Sequence, residues 1–129
     1  MNDDNPRNWD NLTTMACFHK RYELGDETDY KSEDYSCWNH MECDIILNED
    51  AIMILPLYMY DHSGLFISVV IEPYWWHYGW DGGQIGFVYV TRESAMKVFN
   101  WKRITDKRRK YLAEVILQEV ENYDQYLRH

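Results

Sequence analysis

Apolar residues run almost without interruption over positions 51–60, again over 65–71, and again over 85–90. Runs of this length, rich in β-branched and aromatic side chains, predict strands. The near-absence of polar alternation in 51–60 predicts a central place for that strand. Asp61-His62-Ser63-Gly64 separates the first two runs, and Trp80-Asp81-Gly82-Gly83-Gln84 precedes the third. Both are compact polar turns, and they predict hairpins with polar side chains at their tips. Pro56 has no N–H to give to a ladder, so it predicts a bulge or a strand end nearby. Thr13 to Tyr22 reads as one more strand, closed by Gly25-Asp26.

Elsewhere the period changes from two to 3.6. Trp38, Met41 and Ile45 fall at helical spacing and predict a short helix within 36–47. Thr91 is a good N-cap for a helix from Arg92 to about Phe99. From Thr105 or Asp106 onward, Leu112, Val115, Ile116, Val120, Tyr123 and Leu127 form one apolar stripe, with Glu114, Gln118, Glu121 and Gln125 opposite it. Such a helix lies across one face of the sheet. The predicted fold class is α+β: an antiparallel sheet packed by a long C-terminal helix, two-layer, one domain over residues 1–129. Residues 1–11 read as an irregular arm, docked by Trp9.

Composition narrows the function classes. The chain has 129 residues, 46% hydrophobic, enough for one real core. Aromatics reach 16%, with 6 Trp and 11 Tyr, residues that serve cores and contact surfaces alike. No apolar run approaches the ~18 residues that span a bilayer. The opening Met1–Pro6 is acidic and polar, unlike a signal peptide. Three cysteines without C-x-x-C spacing suit reduced thiols in a cytosol.

The net charge is -9, and it is unevenly placed. Residues 1–50 hold 13 Asp and Glu against 4 Lys and Arg, whereas residues 51–129 hold 9 of each. The densest stretch is 26–36, with Asp26, Glu27, Asp29, Glu33 and Asp34. It reads either as a solvated mobile loop or as an anionic surface that competes for a basic groove. Its field repels nucleic acid, so no direct nucleic-acid contact is expected over this face.

Other chemistry is thin. Asp61, His62 and Ser63 are side by side, but neighbours in a turn rarely converge as a triad, and no nucleophile elbow is present. Asp81 to Gln84 lacks the Lys and Ser/Thr of a phosphate loop. Cys37, His40 and Cys43 would share one side of a helix, with Cys17 and His19 as a possible second pair, yet the spacing is poor for zinc. No metal and no cofactor are predicted. Trp101-Lys102-Arg103 and Lys107-Arg108-Arg109-Lys110 form the only basic cluster. It is expected to pair with the protein's own acidic segment rather than with phosphate.

Several blocks together carry a resemblance: residues 5–26, the stretch 55–64, the stretch 80–90 and Tyr123-Asp124-Gln125-Tyr126-Leu127. In this order they resemble a family of small phage and mobile-element proteins, over most of the chain; residues 27–44 and 73–79 depart from the pattern. The family has no catalytic residues to carry over. What it implies is a phage or mobile-element origin and action in a bacterial host cytoplasm.

The expectation that follows is an acidic, non-enzymatic binding protein. It would inhibit a host defence factor of CRISPR or restriction type, as an anti-CRISPR or DNA mimic does, by occupying a basic nucleic-acid-binding surface. Asp26, Glu27, Asp29, Glu33 and Asp34 would steer it, and Trp75 and Trp76 would anchor it. An alternative is a small-ligand or enzyme site at the hairpin tips, built from Asp61, His62, Ser63, Trp80, Asp81 and Gln84. A phage replication accessory protein is a third possibility.

Overall fold

The computed structural model describes residues 4–19, 21–61, 65–69 and 82–128. Among the described residues four strands form one sheet: β1 (Thr14–Cys17), β2 (Ala51–Asp61), β3 (Leu65–Val69) and β4 (Gly82–Thr91). Their spatial order is β1-β4-β2-β3, and every neighbouring pair is antiparallel. The long apolar run of β2 is central, as its composition predicts. Among the described residues three α-helices complete the order: α1 (Trp38–Glu49), α2 (Arg92–Phe99) and α3 (Asp106–Arg128).

Helix α3 covers one face of the sheet. Its Leu112, Ile116, Val120 and Tyr123 are buried against Met15, Leu57, Met59, Ile67, Ile85, Val88 and Val90. The predicted α+β sheet-and-helix fold is therefore present. Helix α1 adds cover to part of the opposite face, where Met41 and Ile45 pack on Ala16, Phe87 and Tyr89. The ends of the helices obey local rules. Thr91 Oγ1 accepts the Ser94 N–H at 3.0 Å at the start of α2. Asp50 and Asn100 close α1 and α2 in the left-handed region, φ 52° and 58°, which short polar side chains tolerate.

Two register shifts bend the β2–β4 ladder. The first leaves Ile52 as an extra residue on β2, and its carbonyl accepts Arg109 Nη1 at 3.1 Å. The second leaves Ile85 extra on β4, beside the Pro56–Phe87 pair, where a bulge is predicted. The freed Ile85 carbonyl accepts the Phe18 N–H at 2.7 Å. This bulge ends the β1 ladder, so β1 has four residues instead of running to Tyr22. Gly82, Gly83 and Gln84 lie in β4 rather than in a turn, because Tyr60, Met59 and Tyr58 extend the ladder to meet them.

Gly86 permits the close approach of β1. A Cβ there would fall 1.8 Å from the Ala16 carbonyl oxygen. Gly25 is required for a different reason. Its φ of +76° suits glycine, and a Cβ would sit 2.7 Å from both Cys17 Sγ and the Met15 carbonyl oxygen.

The N-terminal arm docks by Arg7 and not by Trp9, which is 53% exposed. Arg7 enters the fold on the turn Pro6–Asn8, which Asn5 caps. Among the described residues, no helix is long and apolar enough to cross a membrane.

Candidate functional site

The acidic segment begins at a buried polar junction. Arg7 holds Asp26 with two parallel bonds, Nε to Oδ1 at 3.0 Å and Nη2 to Oδ2 at 2.7 Å. Arg7 Nη2 also donates to the Thr13 carbonyl at 2.8 Å, and Nη1 lies 3.4 Å from Glu119 Oε1 on α3. Glu119 in turn accepts the backbone N–H groups of Leu12 and Thr13 at 2.9 and 3.2 Å. Asp26 Oδ2 accepts the Met15 N–H at 2.8 Å, and the Asp26 N–H returns to the Met15 carbonyl at the same distance. Tyr123 on α3 completes the joint by accepting the Gly25 N–H at 2.9 Å. This bidentate, desolvated geometry is what makes an ion pair strong. It assigns Asp26 an internal role, apart from the partner-binding set predicted by its charge.

From that anchor the segment crosses the face that α1 covers. Tyr30 and Tyr35 pack against the cluster of Ala16, Met41, Ile45, Phe87 and Tyr89. Their hydroxyls reach carboxylates of α1: Tyr30 to Glu49 Oε2 at 2.9 Å, and Tyr35 to Asp44 Oδ2 at 2.6 Å. The short turn Ser32–Asp34 lies between them, and Tyr35 meets the His40 ring edge-on at 5.0 Å. The stretch is thus a packed, hydrogen-bonded element, against the alternative of a solvated mobile loop. The two tyrosines are the sequence signal: a disordered acidic tract is poor in aromatics.

The outcome is a framed anionic face. Glu27, Asp29, Glu33 and Asp34 are exposed on the segment, and Glu49 and Asp50 are exposed at the end of α1. Over residues 26–50 nine acids face a single cation, Lys31. A 540 Å³ hollow lies among them, lined by Glu27, Asp29, Glu49, Tyr30, Tyr35 and Tyr89 and three polar neighbours. Burial and the carboxylates together push the tyrosine hydroxyls up. Burial and then the bond to Glu49 raise Tyr30 to about 12, and the bond to Asp44 raises Tyr35 to about 12. Both remain hydrogen-bond donors at neutral pH.

The basic cluster does not neutralise this face. Among the described residues no ion pair joins 101–110 to 26–36. Arg108 instead lies over the Trp101 ring at 5.0 Å and donates to the Arg103 carbonyl at 2.8 Å. Arg109 is taken by the Ile52 bulge. The expected pairing fails because Phe99, Trp101 and Ile104 pack with α3 on the other side of the sheet.

The hairpin tips are partly visible. Asp61 pairs with Leu65 and Tyr60 with Gly82, so the two backbones come to the same end of the sheet. The Gln84 amide donates to the Gly86 carbonyl at 3.2 Å, within its own strand. His62, Ser63, Trp75, Trp76, Trp80 and Asp81 lie outside the described residues.

Cys17 sits against the Asp26 joint, and burial followed by the Asp26 charge pushes its thiol up to about 12, far from a reactive thiolate. Cys37 and Cys43 are exposed free thiols. Among the described residues, no three His, Cys, Asp or Glu side chains converge on a metal position.

Sequence reasoning overlooked three positions. Arg7 and Glu119 build the joint, and Asp124 is buried on α3, where its Oδ1 accepts the Ile67 N–H of edge strand β3 at 2.8 Å. Asp124 occupies a core position four residues after Val120, and that misplacement in the apolar stripe is a legible signal. No family model, no curated protein and no solved structure matches this chain.

Proposed function

We propose that this protein is a phage-encoded, non-enzymatic binding protein that acts in the host bacterial cytoplasm. Its anionic face occupies the basic nucleic-acid-binding surface of a host defence complex, of CRISPR or restriction type. The observation that carries this reading is the frame under the acidic segment. Exposed Glu27, Asp29, Glu33 and Asp34 are held by Tyr30, Tyr35 and the Arg7–Asp26 pair rather than by a free loop. A preformed charge array loses less entropy on binding and steers a basic partner from a distance. The resemblance to phage and mobile-element proteins supports the setting. Trp75 and Trp76 are the proposed anchors.

Capture from host lysate at low and high salt, followed by mass spectrometry, identifies the partner. Surface-binding kinetics on it then test the mode. Reversing Glu27, Asp29, Glu33 and Asp34, with Asp26 left intact, should lower the association rate. Raising salt should mimic the loss, since the Debye length falls from about 10 Å at 0.1 M to about 3 Å at 1 M. Truncating Trp75 or Trp76 should instead speed dissociation. Binding indifferent to both salt and charge reversal overturns the reading.

One observation favours a second reading, a small-ligand site at the hairpin tips: the register brings the two tip backbones to one end of the sheet. In that case Asp61→Ala and His62→Ala reduce activity far more than thermal stability.

A further inference from the structure

The corner between α2 and α3 carries a second, opposite pole. Over residues 92–110 eight Lys and Arg stand against Glu93 and Asp106 alone. Lys102, Arg103, Lys107 and Lys110 are all exposed, and among the described residues none has a carboxylate partner. Two of these charges sit where they are costly to the fold. Lys107 and Lys110 lie in the first turns of α3, where the macrodipole is already positive, beside Arg108. Asp106 is the one acid in that first turn.

Aromatic rings interleave with the cations. Phe99 and Trp101 stack at 4.3 Å, and Tyr111 meets both edge-on, at 5.7 and 6.1 Å. Arg108 lies over Trp101. The three rings pack on one another, and Tyr111 is 46% exposed next to the unpaired charges. A cationic track beside an exposed, braced ring is the pattern that holds a polyanionic strand by its phosphates and stacks one of its bases. An acidic polypeptide would satisfy the cations but offers Tyr111 a ring only where an aromatic residue falls opposite it, whereas every nucleotide carries a base.

The net charge of -9 argues against such a ligand only if the charge is spread evenly, and it is not. The anionic face lies with α1 on one side of the sheet, and the corner packs with α3 on the other. Among the described residues the two poles touch at one ion pair, Arg92 Nε to Asp50 Oδ2 at 3.0 Å, and Lys102, Arg103, Lys107 and Lys110 take no part in it. The Debye length at physiological ionic strength is only about 8 Å, so a ligand docked on these four side chains feels chiefly the charges within that range.

We infer that the α2–α3 corner is a binding site for single-stranded nucleic acid. Lys102, Arg103, Lys107 and Lys110 contact phosphates, and Tyr111 stacks a base. The expectation that nucleic acid is repelled holds for the anionic face and not for this corner. The inference does not depend on the function proposed above.

Fluorescence anisotropy on the whole protein tests it, with labelled short oligo-dT, a matching DNA duplex and labelled polyglutamate as probes. Oligo-dT should bind tightest. Its affinity should fall with salt between about 50 and 200 mM, with a log–log slope near −3 for four phosphate contacts. The combined variant K102E/R103E/K107E/K110E should lose binding, with its circular dichroism unchanged and its melting temperature unchanged or raised, because all four side chains are exposed and the two on α3 then suit the macrodipole. Tyr111→Ala should weaken oligo-dT about tenfold, and Tyr111→Phe should restore it. Full oligo-dT binding by the quadruple variant, or no oligo-dT binding by the natural protein, overturns the site. Tighter binding of polyglutamate reassigns the corner to an acidic protein. Equal binding of duplex with indifference to Tyr111 overturns the single-strand assignment.

Discussion

Arg7 and Asp26 face each other as a planar fork and a planar carboxylate, 3.0 and 2.7 Å apart, with only 2% of the Arg7 side chain exposed. The pair ties the N-terminal arm to the start of the acidic segment, and Glu119 ties both to α3. Removing one member leaves the other charges desolvated and unmatched, which typically costs about 3–5 kcal/mol. Arg7→Met and Asp26→Asn should each lower the melting temperature by roughly 10 °C or more. Arg7→Lys should recover only part of this, since an ammonium cannot make the two parallel bonds. Glu33→Gln, exposed on the same segment, should leave melting nearly unchanged.

Two glycines of one strand should respond in opposite ways. Gly86→Ala drives a Cβ into the Ala16 carbonyl, so β1 must separate from β4, and a loss above about 3 kcal/mol is expected. Gly83→Ala meets nothing within 4 Å and should be neutral or slightly stabilising. Chemical denaturation of both variants checks the contrast.

The core stripe of α3 gives a third test. Ile116 is fully buried, and Val115 is half-buried beside it. Ile116→Asp places an unpaired carboxylate against Leu112 and Val120 and should cost more than about 4 kcal/mol, enough to unfold the domain. Val115→Asp should be milder. Far-ultraviolet circular dichroism with melting distinguishes the two.

Alkaline pH should destabilise the fold. Burial raises the folded-state Cys17 thiol from an ordinary 9.0 to about 12 and Tyr30 from 10.0 to about 12, and it raises Tyr89 as well. Each group stays protonated in the fold at a pH where the unfolded chain has already ionised. The unfolded state then binds fewer protons, so stability is full below about pH 9 and falls as pH rises toward 12. Urea unfolding at pH 8, 10 and 11 should show the decline, and Tyr89→Phe should flatten it.

The same shift predicts thiol reactivity. A disulfide-exchange reagent at pH 8 should label exposed Cys37 and Cys43 quickly and Cys17 only after unfolding. Rapid labelling of all three in the native protein contradicts the buried position of Cys17.

The sequence by itself determined the parts whose physics is local. The unbroken apolar run of 51–60 became central strand β2, and Pro56 announced the bulge beside it. Thr91 capped α2 where its hydroxyl implied, and the 3.6-residue stripe from Leu112 to Tyr123 became the covering helix. The concentration of acid before residue 50 was equally legible, because charge can be counted without a fold. What only the tertiary structure decided was how those charges are used. Asp26 reads like its acidic neighbours, yet it meets Arg7 across 19 positions, and Arg7 meets Glu119 across 112. Gly86 reads as an ordinary strand glycine until Ala16 approaches it from a strand 70 residues earlier in the chain. The basic cluster stands apart from the acidic segment because the sheet lies between them. Neighbouring residues set backbone preference and periodicity, whereas chain closure chooses which distant groups lose their water together. That choice separates a buried, paired carboxylate from an exposed one.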